Sequence, residues 1–428
     1  MKQSGRRPLT ARLRVPPLLA EDVTFRDFWI GRCASMVGDE VSMVAMPLLG
    51  VLTLGLGPAE VGLLTAAGLA PNLLLSLHAG AWVDRHGRRR HAMIVADLGR
   101  AVLLAFVAVA GIGGFLTRGE LYGAAFLVGA LSVVFNLSYA SLFVTLVPRD
   151  AYIAAGQLLQ GARALASVAG PTLGGVLVQV ATAPGAMLVD VLSFVGSAAM
   201  LRRVEVPETP PAGGPPRDIA TGLRFVVRSP LMRPMVGTLA VVSLALGGFP
   251  ALSLVYIVQS LGFSPGALGL ILGAGALGAV AGAALAERLA RSFGLGVTIT
   301  WAIFGLPASM LAIPLVGGPH AVVAAILLAA QFASGFAVLV FDVLNGALTA
   351  AAIPPTIRAR AQGAFNLVNY GVRPVGAVAV GGLGALVGLR TALLVAVLLG
   401  MSGVLVLLAS SVPRVRTIDD VARVTGGG

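Results

Sequence analysis

The chain has 428 residues, of which 57% are hydrophobic and 11% charged, with a formal net charge of +12. A soluble protein carries roughly 25% charged residues, so this composition excludes an ordinary water-soluble fold. The positive charge stands at the ends of apolar runs rather than on one face, which argues against nucleic acid as a partner.

Apolar runs of about 20 residues recur along the chain, each long enough to cross a bilayer as a helix. The short alternating segments of a β-barrel are missing. Residues 1–27 are basic, lack the apolar core and cleavage site of a signal peptide, and read as a cytoplasmic tail. Residues 28–204 form a first bundle, with spans predicted at 28–54, 59–83, 91–116, 121–147, 151–181 and 184–201. Between the second and third spans, residues 80–90 read Gly-Ala-Trp-Val-Asp-Arg-His-Gly-Arg-Arg-Arg, a charged loop between two apolar segments.

Residues 205–230 are a linker whose prolines at 207, 210, 211, 215 and 216 forbid a continuous helix. Within it, residues 219–228 oppose Ile219, Leu223, Val226 and Val227 to Arg224 and Arg228, a pattern expected on a membrane surface. Residues 231–412 form a second bundle, with spans at 231–261, 265–285, 294–316, 321–352, 361–387 and 389–412. Residues 413–428 are a second cytoplasmic tail. The fold class is therefore an all-α membrane protein of twelve transmembrane helices in two pseudo-symmetric six-helix bundles.

Orientation follows from the bias of Lys and Arg toward the cytoplasm. Of the 30 such residues, 24 lie in the tails, the linker and the loops on the side of residues 80–90. The opposite side holds only Arg118 and Arg390. Both termini are thus expected in the cytoplasm.

The halves read as copies offset by roughly 205 residues, the internal repeat common in transporters. Asn136 matches Asp342, Gln160 and Arg163 match Asn366 and Asn369, and Pro148-Arg149 matches Pro354-Pro355. Residues 80–90 match residues 282–291, where Glu287, Arg288 and Arg291 keep the acid–base order.

Gly80, Asp84, Arg85, Gly87, Arg88 and Arg89 fit every defined position of the signature Gly-x-x-x-Asp-Arg-x-Gly-Arg-Arg. With two groups of six spans, the chain resembles the major facilitator superfamily across nearly its whole length. Finer stretches are Phe25-Arg-Asp-Phe-Trp29 leading into Ser35-Met-Val-Gly-Asp39, Ala96-Asp97-Leu98-Gly99-Arg100, and Gly222-Leu-Arg-Phe-Val226 before Ser229-Pro230. They are similar to a bacterial branch of drug and siderophore exporters that includes macrolide efflux and enterobactin exporter proteins. Gly170, Pro171, Gly174 and Gly175 look like that branch's antiporter signature, with Ala166 standing where an earlier glycine is expected.

Ionisable groups inside spans are costly and usually functional. Here they are the acids Asp39, Glu40, Asp97, Asp190 and Asp342 and the bases Arg32, Arg100, Arg163 and Arg373. Counting about 1.5 Å per residue from the predicted span ends puts Asp39, Arg163, Asp342 and Arg373 at about 15–20 Å depth. Those four fall in spans one, five, ten and eleven, which the resemblance implies line a central cavity. Asp39 with Arg163, and Asp342 with Arg373, are the expected pairs, and Glu40 shares the proton-coupling assignment with them. Asp39 is the first choice of proton carrier, because leaving water favours the neutral form of a carboxyl. A permanent ion pair between helices is the plain alternative. Asp97 and Arg100 read as a local pair near the end of span three, and Arg32 as an arginine that snorkels to the surface. Asn136, Gln160, Asp190, Asn345, Asn366 and Asn369 are the candidate substrate-cavity residues, with helix bridging an equal alternative for the amides.

The resemblance implies a secondary active transporter that exports small amphipathic or hydrophobic compounds in exchange for protons by alternating access. It implies that Asp84 faces the start of span eleven near Arg360 and Ala361, as a conformational latch formed with Gly80, Arg85, Gly87, Arg88 and Arg89. Expected partners are a small-molecule substrate, protons and membrane lipid, with no nucleic acid, and the chain is expected to act as a monomer in the bacterial cytoplasmic membrane. No cofactor, metal or enzymatic activity is expected. His78, His86, His91 and His320 form no ligand-spaced cluster, and Cys33 is the sole cysteine. An uptake symporter is the alternative on the same fold, and a non-transporting sensor or scaffold the alternative of another class.

Overall fold

Local chemistry sets the helix ends in the computed structural model, which describes residues 17–148, 151–205, 219–354 and 357–425. Every regular element among the described residues is helical. The first span, Val23–Leu54, starts where Asp22 accepts the Phe25 N–H at 2.9 Å, and Gly55 ends it at φ 65°. It begins at Val23 rather than the expected Phe28 because that cap satisfies amide donors which the apolar pattern ignores.

Span two, Pro58–His86, opens with proline at its first position, and Glu60 accepts the Gly57 N–H at 2.8 Å. It stays helical to its end, so residues 80–86 are helix rather than loop, and only Gly87 (φ 65°) and Arg88 reverse the chain. Gly80 has open space beside it and makes no close turn. Arg89 donates to Thr145 Oγ1 at 2.9 Å and Arg90 to the Val204 carbonyl at 2.6 Å, which ties the turn to spans four and six.

Span three is Arg89–Gly113 and span four Arg118–Leu146. Thr117 and Glu120 cap the latter reciprocally, with Glu120 accepting the Thr117 N–H at 2.7 Å. The next helix, Tyr152–Arg203, has 52 residues. At 1.5 Å per residue it would run more than twice a bilayer core of about 30 Å. Thr182, at φ 65° and ψ 168°, breaks it into spans five and six. Among the described residues this break turns eleven long apolar stretches into twelve spans, an even number that returns the chain to its starting side.

In the second half, span seven is built of Met232–Ala245, Phe249–Val255 and a π-helical turn, Tyr256–Ser260. Span eight is Pro265–Phe293 and span nine Leu295–Met310 with Ala312–Leu315. Span ten, His320–Ala352, is continuous, whereas span eleven is divided into Arg358–Gly371 and Arg373–Val387. Leu389–Ser402 with Val404–Leu408 completes span twelve.

The repeat is visible in the backbone. Left-handed Gly55 and Gly87 recur as Gly262 and Gly294, and Pro58 as Pro265, each 207 positions later. The break at Thr182 recurs at Gly388, 206 positions later, with φ 86°. In this register Asp84 corresponds to Arg291, not to Glu287. The expected acid–base match is therefore off by one helical turn, and Glu287 pairs locally with Arg291 at 3.6 Å on an exposed surface.

Three apolar cores hold the bundle. One combines both halves at the end away from the termini, joining Val44, Leu48 and Leu104 to Phe249, Leu252 and Val380. At the terminus side the halves pack separately. Phe25, Phe28, Phe135 and Leu201 form a first-half core, and Met232, Ile299, Leu344 and Phe365 form a second-half core. The far end is thus closed and the terminus side is split. The linker helix, Ile219–Arg228, buries Val226 in the second-half core and leaves Leu223 and Val227 exposed.

Candidate substrate and proton site

A cavity of about 770 Å³ lies between the halves, just inside the closed end. Span one contributes Asp39 and Ser42, span five Arg163, span six Asp190, span ten Asp342 and Asn345, and span eleven Asn369 and Arg373. The four charges placed at one depth from the sequence therefore share one cavity wall system. Met43, Pro47, Leu64, Phe249, Phe341 and Phe365 give it an apolar lining.

The pairing differs from the sequence expectation. Asp39 bonds to Arg100 of span three at 3.3 Å, not to Arg163. Arg100 also pairs with Asp97 one turn earlier on its own helix. Its guanidinium lies 4.6 Å from the Phe135 ring centroid and 4.0 Å from that of Phe194, and the side chain is 1% exposed. Asp97 is wholly buried, whereas Asp39 keeps 43% of its side chain exposed toward the cavity. Arg100 thus has one anion locked behind it and one anion at the cavity surface. Removing a partner from such a buried pair costs about 3–5 kcal/mol.

Asp190 is buried beside this cluster and accepts from Ser42 Oγ and, at 2.9 Å, from Ser193 Oγ. The crossing of spans one and six depends on Gly38, because a Cβ there would overlap the Asp190 carboxylate. Ser42 stands three residues after Asp39, so Asp39 and the Asp190 hydrogen bond share one helical face.

The second half holds its charges differently. Arg373 donates to Asn369 Oδ1 at 3.3 Å and lies 4.7 Å from the Tyr370 ring centroid. Asn369 also accepts from Ser243 of span seven. Among the described residues, Asp342 and Arg163 enter no salt bridge. Spans seven and eleven both break at this level. A Cβ on Gly247 would strike the Arg373 backbone, and one on Gly248 would sit 2.8 Å from the Ala377 Cα. These glycines let two interrupted helices cross in contact, and such breaks at mid-membrane are the usual setting of transporter sites.

Other expected residues fall elsewhere. Glu40 points at span five, where Gly170 makes room for its Cβ, and it does not line the cavity. Gly174 packs on Val41, and Gly175 faces the other half, 2.7 Å from Gly269 Cα when given a Cβ. Thr172 Oγ1 donates to the Gly269 carbonyl at 3.1 Å, and Gln179 Oε1 accepts the Gly266 N–H at 2.8 Å. The stretch around Pro171 is therefore a packing seam, between spans one and five on one face and between the halves on the other. Span two meets span eleven likewise through Gly62 and Gly381.

Asn136 is exposed outside the cavity lining and accepts from Arg32 at 3.4 Å. Arg32 does not snorkel to the surface, since the rings of Tyr139 and Phe135 hold its guanidinium at 4.7 and 5.3 Å. Gln160 and Asn366 are exposed and also lie outside the lining. The side chains of Asp84 and Arg360 lie outside the described residues, as does any contact between them; Arg85 and Arg88 are exposed.

Arg100 does not lie near the span end where the sequence pattern put it. It stands 11 residues after Arg89, where span three begins, which is about 16 Å along the helix. The same depth count that found Asp39 would have found it. Ser42, Asn72 and Ser243 also line the cavity, but single polar residues of this kind leave no signal in a sequence.

The profile of a family described as transmembrane secretion effector matches residues 16–425. The multidrug efflux pump Tap of Mycolicibacterium fortuitum is 27% identical over 403 residues, covering 89% of this chain and 94% of that protein. The enterobactin exporter EntS of Shigella flexneri is 27% identical over 368 residues, covering 81% and 83%. Among solved structures, the nucleoside transporter NupG superposes with a TM-score of 0.74 at 11% identity, covering 90% of this chain and 98% of that one. A bacterial homologue of the iron transporter ferroportin in its inward-facing state gives 0.70 at 16% identity, covering 90% and 98%.

Proposed function

Because the chain belongs to the transmembrane secretion effector family of major facilitator transporters, we propose that it exports small amphipathic or hydrophobic compounds in exchange for protons. The observation that carries this reading is the apolar cavity between the halves, with a carboxylate network on one wall. The drug and siderophore exporters among its relatives support the direction of transport.

The Lys and Arg bias assigns the terminus side to the cytoplasm of a bacterial inner membrane. The conformation described is then inward-open, with the far end sealed by the shared core. A compound enters from the cytoplasm or inner leaflet and settles against the apolar lining. Closing the split between the two terminus-side cores and parting the far-end seam turns the cavity outward. Substrate or proton drives that change only by binding one state better than the other.

Asp39 is the proposed proton carrier. When it takes a proton it gives up a charge-assisted bond to Arg100, while Asp97 keeps that arginine paired. Proton exchange therefore never strands a buried cation, which a lone Asp39–Arg pair would do. Asp190 and Ser42 sit beside it as the next acceptor and donor on the cavity wall.

Purified protein in proteoliposomes tests this. Asp39→Asn is expected to cut efflux driven by a pH gradient at least tenfold, while exchange of labelled for unlabelled substrate without a gradient persists. Undiminished gradient-driven efflux in the variant removes Asp39 from the role.

A further inference from the structure

Span four presents Ser132, Phe135 and Tyr139 on one stripe, since steps of three and four residues bring side chains to the same helical face. That stripe meets two arginines from other helices. The Phe135 ring, 1% exposed, lies under the guanidinium of Arg100 at 4.6 Å and under that of Arg32 at 5.3 Å. Among the described residues no other ring faces two guanidinium groups. Tyr139 holds Arg32 from the next turn at 4.7 Å, and its own ring stacks on Phe28 at 5.3 Å.

Hydrogen bonds do not fix Arg100 by themselves. One terminal nitrogen bonds Asp97, one turn back on the same helix. The other reaches Asp39 at 3.3 Å and Ser132 Oγ at 3.4 Å, whereas a charge-assisted N–H···O bond settles at about 2.7–2.9 Å. The Arg100 Nε is screened from solvent and has no acceptor among the described residues. A side chain held this way is drawn toward Asp97, so its reach to Asp39 needs a further hold. Ring faces supply one, because a desolvated guanidinium is attracted to the negative face of an aromatic ring.

The other half separates the ring from the arginine. At an offset of 206 residues, Phe135 corresponds to Phe341, Arg100 to Leu306 and Ser132 to Val338, and all three of those line the cavity. The fold thus sets a phenylalanine at this point in both halves, and only the first half sets a cation and a hydroxyl against it.

We propose that Phe135 is a positioning residue of the proton site, whose ring holds Arg100 within reach of Asp39 while Asp39 gains and loses its proton. The assignment rests on reading Asp39 as the proton carrier. When Asp39 is neutral, Arg100 keeps Asp97, Ser132 and the rings, so it stays in place for the carboxylate to return. Without the Phe135 ring the guanidinium settles on Asp97, and Asp39 loses the cation that favours its charged form. The other charged groups around Asp39 are Arg32 on its own helix, Asp97 behind Arg100, Arg163 on the cavity wall of span five and Asp190 beside Ser42, while Glu40 points to span five. Phe194, the second ring over Arg100 at 4.0 Å, lines the cavity, so a change there touches cargo as well. Phe135 lies outside the lining.

The probe is N,N′-dicyclohexylcarbodiimide, which couples to protonated carboxyls in apolar surroundings. It is added to the full chain in detergent at neutral pH. Labelling of Asp39 is followed by peptide mass spectrometry, with Asp342 as the internal reference. Phe135→Leu keeps apolar bulk but loses the ring face. It is expected to label at Asp39 about fivefold faster, the ratio that loss of one cation–π contact implies, with Asp342 unchanged. Phe135→Tyr restores a ring and is expected to label at the rate of the unaltered chain. Phe135→Met gives a second ring-free reading should the leucine variant not fold. In proteoliposomes, the ring-free variant is expected to slow gradient-driven efflux about threefold and to leave gradient-free exchange as it was, a split that lost packing would not give. An Asp39 rate unchanged without the ring, a tyrosine variant as reactive as the ring-free one, a parallel rise at Asp342, or an equal fall in efflux and exchange would each overturn the assignment. Faster labelling of Asp39 in a chain that moves no compound along a pH gradient would instead remove the exporter reading and leave the positioning of Arg100 by Phe135 standing.

Discussion

In the first half, Asp39, Asp97 and Arg100 form a closed network on unbroken helices, with Asp190 bonded beside it. In the second half, Asp342 stands without a salt bridge among the described residues, and Arg373 leans on an amide and a ring where two broken helices cross. The backbones are repeats, yet the charges are not. Positions 206 residues beyond Asp97, Arg100 and Asp190 are Ile303, Leu306 and Ala396, and the position before Asp342 by the same offset is Asn136. A repeated fold has thus been given one half in which Asp39 and Asp97 share Arg100, with Arg163 outside that network, and one half in which Arg373 bonds an amide and Asp342 meets no cation at salt-bridge distance among the described residues. The first kind suits a group that exchanges a proton without disturbing its neighbours. The second suits ligand recognition, because a carboxylate exposed to a cavity and without a cation beside it is open to a ligand's donors.

The largest break in this contrast comes from removing each half's arginine. Arg100→Met leaves Asp97 buried without a cation, and is expected to cost about 3–5 kcal/mol. Arg373→Met loses one hydrogen bond and one ring contact, together about 1–2 kcal/mol. Thermal unfolding in detergent should place Arg100→Met well below Arg373→Met, and equal transitions would erase the distinction between the walls.

A smaller effect tests the one core that the halves share. Gly175→Leu forces a side chain into Gly269 across the seam, an overpacking expected to cost about 1–3 kcal/mol. Because the strain exists only while the far end is closed, it should favour the opposite conformation. Distances between spin labels on the far ends of spans two and eight should lengthen in the variant. An unchanged distribution would mean that the seam does not hold the closed state.

The contrast is sharpened further by double-mutant cycles. Asp39→Asn with Arg100→Met should be strongly non-additive, with a coupling of about 1 kcal/mol or more, since the two are bonded. Asp342→Asn with Arg373→Met should add within about 0.5 kcal/mol. A large second coupling would show that Asp342 and Arg373 do pair.

The smallest expected effect concerns the two breaks that separate the last spans of each half. Thr182 adopts φ 65°, ψ 168°, whereas its counterpart Gly388 adopts φ 86°, ψ 152°. That region is nearly closed to residues with a Cβ and costs them about 1–3 kcal/mol. Thr182→Gly should raise stability by about 1 kcal/mol and Gly388→Thr should lower it by a similar amount. Both are read from the same unfolding curves.

Much of the architecture was legible in the residues. The lengths of the apolar runs announced the spans, and the turn at residues 182–183 was marked by Pro184, next to the non-helical Thr182. Helix ends were less legible, as with Asp22 and residues 80–86, because caps and single glycines act over one turn while hydropathy is averaged over many. The shared depth of Asp39, Arg163, Asp342 and Arg373 was also readable, since depth in a helix is a linear function of position. Their partners were not, because depth says nothing about rotation or about which neighbouring helix comes closest. Asp39 therefore met Arg100 of span three instead of Arg163, and Arg32 met the rings of span four instead of the membrane surface.

By itself the sequence determined that this chain crosses a membrane about twelve times, repeats itself once, and keeps its basic residues to one side. Those follow from transfer free energy and charge, which depend on residue type and order alone. Only the tertiary structure decided which charges satisfy each other, where glycines let backbones touch, and which end of the cavity is sealed. Those depend on the rotation and crossing of helices, fixed by close packing among spans far apart in the chain.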